Sequence, residues 1–414
     1  MALSLDILKN HNFRLLFLTR TLCHMGLQAS AVIVGWQIYT LTHSEFLLGL
    51  IGLTEAVPAI LSALFSGYIV DLTSPYFVYR LCVGTLVLNM AFLWAVGGEW
   101  FAFSQSTVIA LLFAGIFVSG IARSFLIPAF SALFAQAVEK KHYAASNGWS
   151  NAGIQIAVIV GPLTASLVYG FYGVRAAWTL PTVFMILGFL SILHVRNLRA
   201  MEQQAFSGSA IKNIIDGWHF ILKRPLLLTV MGLDMVTVLF GGAVAMLPAF
   251  ADQVLHVGPE GLGLLRTAPA LGAILTAVYF ALFPMRTFPL SRMLWAAGGF
   301  GACMIGFGFS ETLPWAMFFL GLSGLLDTVS VIIRLTLKQI LTPDYMRGRV
   351  SAISSMFVIS SNELGAFESG VAARLMGLIP SIIFGGVVSI AICLGTYVLT
   401  PQLRQKIYTD EDQS

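Results

Sequence analysis

Twelve apolar runs, each long enough to cross a lipid bilayer, constrain what this chain can fold into. A membrane-spanning α-helix needs about 20 consecutive apolar residues, and glycines, prolines and charges separate the runs. The chain is therefore predicted to be an all-α membrane protein with twelve transmembrane helices. The predicted spans are 13–40, 46–72, 76–97, 106–135, 143–171, 175–194, 225–251, 260–284, 290–309, 313–341, 346–375 and 379–399.

The composition supports lipid as the solvent of this chain. Of its 414 residues, 57% are hydrophobic and only 10% are charged, whereas soluble domains carry about 25% charged residues. The four cysteines all lie in apolar runs, so we expect neither a disulfide nor a metal site. Lys9 and Arg14 precede the first run, and no small-residue cleavage site follows it, which predicts a retained first helix.

One long basic stretch, 195–224, interrupts the apolar sequence near its middle. Six predicted spans lie on each side of it. We therefore predict an N-terminal six-helix lobe at 1–194, a cytoplasmic linker at 195–224, a C-terminal six-helix lobe at 225–401 and a cytoplasmic tail at 402–414. The alternative is a loop that joins two unrelated membrane bundles.

An internal repeat argues against that alternative. Two short blocks of the first half recur in the second half after 214 residues, and two further matches recur after 204 residues. Parallel repeats of six helices are related by a pseudo-two-fold axis and place a substrate site near mid-membrane. The matches are 48–51 with 262–265, 59–61 with 273–275, 119–120 with 323–324, and Gly161 with Gly365.

Positive charge orients the predicted helices. Most of the 23 basic residues fall in the linker or in loops on one side of the membrane, and only Arg175 lies in a loop on the other side. Because basic residues concentrate on the cytoplasmic side, both termini are predicted to be cytoplasmic.

Charged side chains inside the predicted spans are the candidate functional residues. Burying a charge in lipid costs at least about 2.5–3.5 kcal/mol, so such groups face water or one another. The charged spans are therefore expected to line a central cavity, whereas the third, sixth, ninth and twelfth spans, whose charges Arg80, Arg175 and Arg292 lie only near their ends, are expected to face lipid. The charges are Arg20, Glu55, Arg123, Asp234, Arg266, Asp327, Arg334, Lys338, Glu363, Glu368 and Arg374.

The signs of these charges predict two roles. Basic and polar groups in a cavity suit an anionic or oxygen-rich substrate, and desolvated carboxylates suit the binding and release of protons. The alternative for any one of them is a structural salt bridge. The predicted substrate-binding residues are Arg20, His24, Gln28, Arg123, Arg266 and Arg334, and the predicted proton-coupling residues are Glu55, Asp234, Asp327, Glu363 and Glu368.

Two pairings are left open by the sequence. Arg123 is expected to pair with Glu55 or with a substrate anion. Arg266 is a possible partner of Asp234 because the two lie at comparable depth on neighbouring predicted helices. If that pair forms, the proton site moves to Glu363 or Glu368; otherwise Asp234 itself can carry the proton.

Several motifs resemble those of the major facilitator superfamily. The stretch 67–71 is similar to its G-x-x-x-D loop signature, although Leu72 stands where the family has an arginine, which puts the usual partner of the aspartate in doubt. Gly120 and Arg123 resemble its intramembrane arginine motif, and 157–165 resembles its antiporter Gly-Pro motif. The resemblance implies the two-lobed major facilitator fold and a set of gating residues, namely Gly67, Asp71, Gly161, Pro162, Arg347 and Arg349.

A narrower resemblance covers both halves. The stretches 12–20, 42–44, 120–126, 347–351 and 362–370 are similar to the enterobactin-exporter-like branch of the superfamily. The resemblance implies a proton-driven exporter of the bacterial inner membrane, with siderophores as the leading substrate class. Related branches export macrolides and other drugs.

The sequence thus favours a proton-coupled exporter of a siderophore or similar anionic metabolite, working by alternating access. A broad-specificity drug exporter shares every motif, and an importer is opposed only by the Gly-Pro resemblance. A membrane-embedded enzyme is not indicated, because no H-x-x-x-H or G-x-S-x-G pattern is present. We expect no catalytic residue, no cofactor beyond the proton gradient, no nucleic-acid partner, and a monomer in the bilayer.

Overall fold

The computed structural model describes residues 5–139, 142–196, 198, 210–283, 290–343 and 346–400. These residues are almost entirely helical, and the described part contains no β-strand. Long helices are the expected outcome for a lipid-embedded chain, since each satisfies its own backbone hydrogen bonds where no water can do so.

The first half begins with a short 3-10 helix, Leu5–Lys9, and continues with five α-helices. Asn10 caps the first of them, because its side chain accepts a hydrogen bond from the amide of Phe13 at 3.0 Å. The helices are α1 His11–Thr42, α2 Glu45–Leu72, α3 Pro75–Gly97, α4 Gln105–Ala137 and α5 Tyr143–Leu193.

The helix α5 contains the fifth and sixth predicted spans in one assigned element. Gly173 interrupts it with φ 82° and ψ 177°, a conformation that glycine adopts without the steric penalty of a side chain. Pro162 also lies inside α5, yet Gly173 is the residue at which the backbone leaves helical angles. The predicted boundary at 171–175 therefore matches the observed break.

The second half contains eight α-helices and a 3-10 segment, Gly242–Met246. The seventh predicted span is divided by that segment into α7 and α8. The helices are α6 Ala210–Leu222, α7 Pro225–Phe240, α8 Leu247–Gln253, α9 Pro259–Leu282, α10 Leu290–Gly308, α11 Leu313–Leu341, α12 Arg347–Met376 and α13 Leu378–Leu399.

The helix α6 lies in the predicted linker and is not among the predicted helices. Its Ile221 is fully buried in a cluster with Leu227 of α7 and Ile353 of α12. Asp216 of α6 contacts Arg349 of α12 at 3.3 Å. The basic residues around α6 are typical of a polar loop, although one face of the helix is apolar.

Nine stretches of the described helices are long and apolar enough to cross a membrane. One of these, Ala145–Leu193, has 49 residues, and at 1.5 Å per residue it is long enough for two spans. The helices α1 and α12 are not among the nine, because charged and polar side chains lower their hydropathy. These two helices carry several of the candidate site residues.

The chain divides into two compact units. Unit 1 comprises Met1–His43, Thr54–Phe206 and Val257–Gly263, and unit 2 comprises Ser44–Leu53, Ser207–His256 and Leu264–Ser414. The lobe boundaries predicted from the sequence stay a prediction.

The internal repeat is visible as repeated contacts between helices. A Cβ atom added at Gly161 would lie 2.8 Å from the carbonyl oxygen of Met25 in unit 1. One added at Gly365 would lie 2.7 Å from the carbonyl oxygen of Leu239 in unit 2. Since Gly161 and Gly365 differ by 204 and Met25 and Leu239 by 214, the two offsets found in the sequence relate contacting backbones.

A second pair of contacts repeats with the same offsets. Gly120 of α4 packs against the backbone of Glu55 in α2, and Gly324 of α11 packs against the backbone of Pro269 in α9. Close approach of this kind is common where small residues lie between membrane helices. The two halves therefore share helix packing as well as helix order.

Candidate functional site

Unit 1 contains an ion pair between two membrane helices. Glu55 of α2 contacts Arg123 of α4, with 18% and 44% of the two side chains exposed. Gly120 lies one turn before Arg123 and packs on the backbone of Glu55 itself, with only 2.5 Å available for a Cβ atom. The glycine thus brings the guanidinium within reach of the carboxylate, and the pairing of Arg123 with Glu55 that the sequence left open is present.

Arg20 of α1 is held in unit 1 without a carboxylate. Its Nη1 donates a hydrogen bond to the Oγ of Ser150 at 2.6 Å, and its Cζ lies 4.3 Å from the ring centroid of Phe130. Among the described residues no acidic side chain forms an ion pair with it. A guanidinium stacked on an aromatic ring is oriented but keeps its charge, and so remains able to bind an anion.

His24 and Gln28 lie on the same side of α1 as Arg20, about one and two turns further along the helix. Both are partly buried. The Cβ of Gln28 lies 3.1 Å from the position that a side chain at Gly161 would occupy, so α5 runs directly against this part of α1. The structure therefore brings Arg20, His24, Gln28 and Gly161 into one region of unit 1.

Unit 2 contains a second, more deeply buried ion pair. Asp234 of α7 contacts Arg334 of α11, with only 5% and 9% of the two side chains exposed. Arg266 is the possible partner of Asp234 that the sequence suggests, and the structure shows Arg334 instead. The two residues are a hundred positions apart, so only the packing of α7 on α11 could reveal the pair.

A small cavity adjoins this ion pair. It lies between α7, α10 and α11, and it has room for about one water molecule. Asp327 lines it together with Asp234, and within the described part of the chain Asp327 has no basic partner. The cavity is lined by Leu233, Asp234, Thr237, Val238, Ala297, Phe300, Asp327 and Ser330.

Two hydroxyl residues of this cavity were not predicted. Thr237 lies three residues after Asp234 on α7, and Ser330 lies three residues after Asp327 on α11. Side chains three apart on a helix share a face. The spacing from each aspartate is thus the sequence signal that would have found them.

Arg266 of α9 is a partly buried cation of unit 2. Its Nε is shielded from solvent and finds no hydrogen-bond acceptor among the described residues. A shielded guanidinium nitrogen without an acceptor is costly in a membrane helix. The side chain of Arg266 therefore has donor capacity left for an anionic ligand.

Glu363 and Glu368 of α12 do not line the cavity beside Asp234. Both are partly buried. The backbone of Glu363 lies against Gly52, where an added Cβ atom would be 2.7 Å from its carbonyl oxygen. The structure thus separates these two glutamates from the aspartates with which they were grouped as proton-coupling candidates.

The predicted gating residues have unlike surroundings. Gly161 and Pro162 are buried in α5, and no described atom lies within 4 Å of a side chain added at Gly67. Arg349 contacts Asp216 of α6. The side chains of Asp71 and Arg347 lie outside the described residues.

Comparison with known proteins gives a family match and curated relatives. The family model of the Major Facilitator Superfamily matches residues 16–366. A protein of Shigella boydii serotype 4 (strain Sb227) named "Enterobactin exporter EntS" is 23% identical over 376 residues, which cover 90% of this chain and 88% of that protein. Its namesake from Citrobacter koseri is 22% identical over 404 residues, which cover 97% and 95%.

Solved structures of transporters share the fold. A POT family transporter crystallised with 5-aminolevulinic acid has a TM-score of 0.72 at 12% identity, covering 95% of this chain and 96% of its own. The nucleoside transporter NupG, crystallised as a point mutant, has a TM-score of 0.71 at 12% identity, covering 94% and 99%. At such low identity the likeness concerns the fold alone.

Proposed function

Because the chain belongs to the Major Facilitator Superfamily, whose model it matches over residues 16–366, we propose that it is a proton-coupled exporter of a small anionic molecule. It is a multi-pass membrane transport protein and not an enzyme. The first substrate class to test is the siderophores, since curated relatives that align with about nine-tenths of the chain are named enterobactin exporters.

The proposed anionic character of the substrate is supported by two arginines. Arg20 in unit 1 and Arg266 in unit 2 lie in membrane helices and have no acidic partner among the described residues. Arginine presents several donors in a planar fork and matches carboxylate or phosphate-like groups well. We assign Arg20, His24 and Gln28 to one substrate-binding surface and Arg266 to another.

One observation carries the proposed proton coupling. In unit 2 the charges of Asp234 and Arg334 compensate each other, whereas Asp327 lines the same cavity without a partner of its own among the described residues. A carboxylate that lies in a membrane helix without a basic partner loses its charge when it takes up a proton, which lowers the cost of burying it. Asp327 is therefore the proposed proton site, ahead of Asp234, Glu55, Glu363 and Glu368.

The charged groups around Asp327 are few. The α7 wall contributes Asp234, and Arg334 lies two turns further along α11. The α10 wall contributes only Ala297 and Phe300, which carry no charge. Arg266 is the basic residue of the packed α9, and within the described residues it forms no ion pair with Asp327.

The proposed setting is the bacterial inner membrane, with both termini in the cytoplasm. The concentration of basic residues on one side of the predicted spans supports that orientation. The relatives named above are bacterial proteins. We propose a monomer that uses the proton gradient and no other cofactor.

The test combines substrate identification with a coupling assay. Culture medium of a deletion strain is compared with that of its parent by mass spectrometry, and we expect the deletion to lower one anionic siderophore-class metabolite. Purified protein in proteoliposomes then exports that metabolite with and without an imposed pH gradient. We expect Asp327→Asn to retain exchange but to lose the acceleration by the gradient.

The exposed Asp6→Asn variant is the matched control and should behave as the wild type, because the Asp6 side chain is 72% exposed and forms only a surface ion pair with Lys9. Acceleration that survives in Asp327→Asn would remove Asp327 from the coupling mechanism. If the deletion instead changes drug tolerance and leaves the metabolites unaltered, the drug-exporter function replaces the proposed one.

A further inference from the structure

Four oxygen-bearing side chains face the small cavity of unit 2 from two helices. Asp234 and Thr237 come from α7, and Asp327 and Ser330 come from α11. Ala297 and Phe300 of α10 close the third side without polar atoms in their side chains. The cavity is therefore lined by polar side chains on two sides and by apolar side chains on the third.

The hydroxyl oxygens of Thr237 and Ser330 are available as ligands. Thr237 donates its proton to the carbonyl oxygen of Leu233 at 2.7 Å, so only the lone pairs of its Oγ1 remain for a further contact. Ser330 is 5% exposed, lines the cavity and has no hydrogen-bond partner among the described residues. A buried hydroxyl is normally satisfied, so the Ser330 oxygen is available to contact a ligand in the cavity.

The charges around the cavity select the class of ligand. Asp234 and Asp327 contribute two negative charges and Arg334 contributes one positive charge, so one net negative charge remains. One monovalent cation neutralises it. A divalent cation would leave an excess positive charge in a membrane helix bundle.

We propose that this cavity is a sodium site, in which the carboxylates of Asp327 and Asp234 and the hydroxyls of Ser330 and Thr237 hold one Na⁺. The binding of sodium does not depend on which molecule is exported.

The charged groups near Asp327 are Asp234 on α7 and Arg334 on α11. Lys338, one turn after Arg334, contacts Ser354 of α12 at 3.3 Å and does not line the cavity. The α10 wall adds no charge. The negative charge of the cavity lining therefore comes from the two aspartates.

The test measures binding of radioactive sodium to purified full-length protein in detergent, at about pH 8, where free carboxylates are ionised. Choline chloride replaces sodium chloride to keep the ionic strength constant. We expect saturable binding of one ion, a loss of at least about tenfold in affinity for Asp327→Asn, and a smaller loss of several-fold for Ser330→Ala.

Ser323→Ala is the matched control on the same helix. Ser323 is buried and donates to the carbonyl oxygen of Leu320 at 2.7 Å, but it does not line the cavity. It should leave sodium affinity unchanged. If Asp327→Asn does not fold, Ser330→Ala still decides, since it removes one oxygen and leaves all charges in place.

Absence of saturable binding by the wild type overturns the proposal, and so does binding that both variants leave unchanged. Transport separates this proposal from the proposed function. Export that accelerates with a pH gradient in sodium-free buffer, by a protein that binds no sodium, keeps proton coupling and rejects the sodium site. Sodium binding without acceleration by a pH gradient keeps the site and rejects proton coupling.

Discussion

The two halves of the molecule share their helix packing but differ in the sign of the charges that their membrane helices carry. With the offsets that relate the packing glycines, 214 for α1 with α7 and 204 for α4 with α11, Arg20 corresponds to Asp234 and Arg123 to Asp327. Each intramembrane arginine of the first half thus has an aspartate at the equivalent place of the second half. Packing fixes which positions must be small, whereas the charges are free to diverge.

The repeat extends to the segments that precede α1 and α7. Ile7 of the 3-10 helix and Ile221 of α6 differ by 214 residues, and both are almost completely buried. Asn10 donates to the carbonyl oxygen of Ala137 at 3.1 Å, and Arg224 donates to that of Leu341 at 2.8 Å. The donors differ by 214 and the acceptors by 204, so α6 is the counterpart of the N-terminal segment.

This comparison suggests a division of labour. Arg20 of the first half has no acidic partner among the described residues and suits an anionic substrate. Asp327 of the second half has no basic partner there and suits a coupling cation, although its counterpart in the first half is Arg123 and not Arg20. The shared packing would let both halves undergo similar helix movements while binding different charges. The predictions below separate the shared property from the divergent one.

The largest loss of stability is expected at the glycine contacts between helices that both halves share. A methyl group at Gly324 would overlap the backbone of Pro269, so Gly324→Ala should destabilise the protein by about 3 kcal/mol or more, since overpacking against backbone cannot be relieved by a rotamer change. Thermal unfolding in detergent and gel filtration measure the loss. Gly120→Ala, at the equivalent place of the first half, should behave alike.

Gly232→Ala in α7 is the matched control for Gly324→Ala. No described atom lies within 4 Å of a side chain added at Gly232, and alanine is favoured over glycine in a helix by about 1 kcal/mol. The control should therefore unfold at the same or a higher temperature. A Gly324→Ala variant as stable as this control would contradict the close approach of α11 and α9.

A comparable loss of stability is expected at one of the two ion pairs, whose burial differs between the halves. Asp234→Ala leaves Arg334 buried without a partner, which should cost about 3–5 kcal/mol. The pair of Glu55 and Arg123 is more exposed, so Glu55→Ala should cost about 1 kcal/mol. Scanning fluorimetry of both variants in the same detergent gives the comparison.

The double variant Asp234→Asn with Arg334→Gln sharpens this test. It removes both charges at once and should recover part of the stability lost by Asp234→Ala, because no buried charge is left uncompensated. Equal losses for the single and double variants would show that the contact of Asp234 with Arg334 does not determine stability.

The sequence predicted the helices closely because their ends carry strong local signals. Pro75 and Pro225 begin α3 and α7 and Gly173 breaks α5 near the predicted positions. The ion-pair partners were harder, since the face of a helix follows from spacing but its neighbour does not. The choice of Arg266 as partner of Asp234 assumed that consecutive helices are the ones in contact, and α7 instead meets α11 at Arg334.

A moderate effect is expected for Arg20, the arginine of the first half that is held without a carboxylate. Arg20→Gln keeps the polarity of the side chain but removes the charge, so an anionic substrate should lose a charge-assisted hydrogen bond. We expect the KM for export to rise about tenfold, which corresponds to about 1.4 kcal/mol. Transport by proteoliposomes over a range of substrate concentrations measures it.

Ser150→Ala provides the graded comparison for Arg20→Gln. It removes the hydroxyl that accepts from Arg20 at 2.6 Å but leaves the stacking on Phe130. It should raise KM only a few-fold, with kcat unchanged. If Arg20→Gln lowers kcat and leaves KM as it was, Arg20 acts in a conformational step and not in substrate binding.

The smallest effect is expected at the ion pair of α6 with α12, because the first half has no basic residue equivalent to Arg349. Ala145 stands where the 204-residue offset would place a counterpart of Arg349, so the ion pair with Asp216 is an addition of the second half. The Asp216 and Arg349 side chains are 41% and 37% exposed and 3.3 Å apart, and an exposed pair contributes about 1 kcal/mol or less. Arg349→Gln should therefore lower stability by no more than about 1 kcal/mol, and high salt should reduce the difference from the wild type further.

Ile221→Ala, which truncates a fully buried side chain of α6, should cost about 2–4 kcal/mol in the same unfolding assay. If Arg349→Gln costs as much as Ile221→Ala, the ion pair and not the apolar face holds α6 on unit 2.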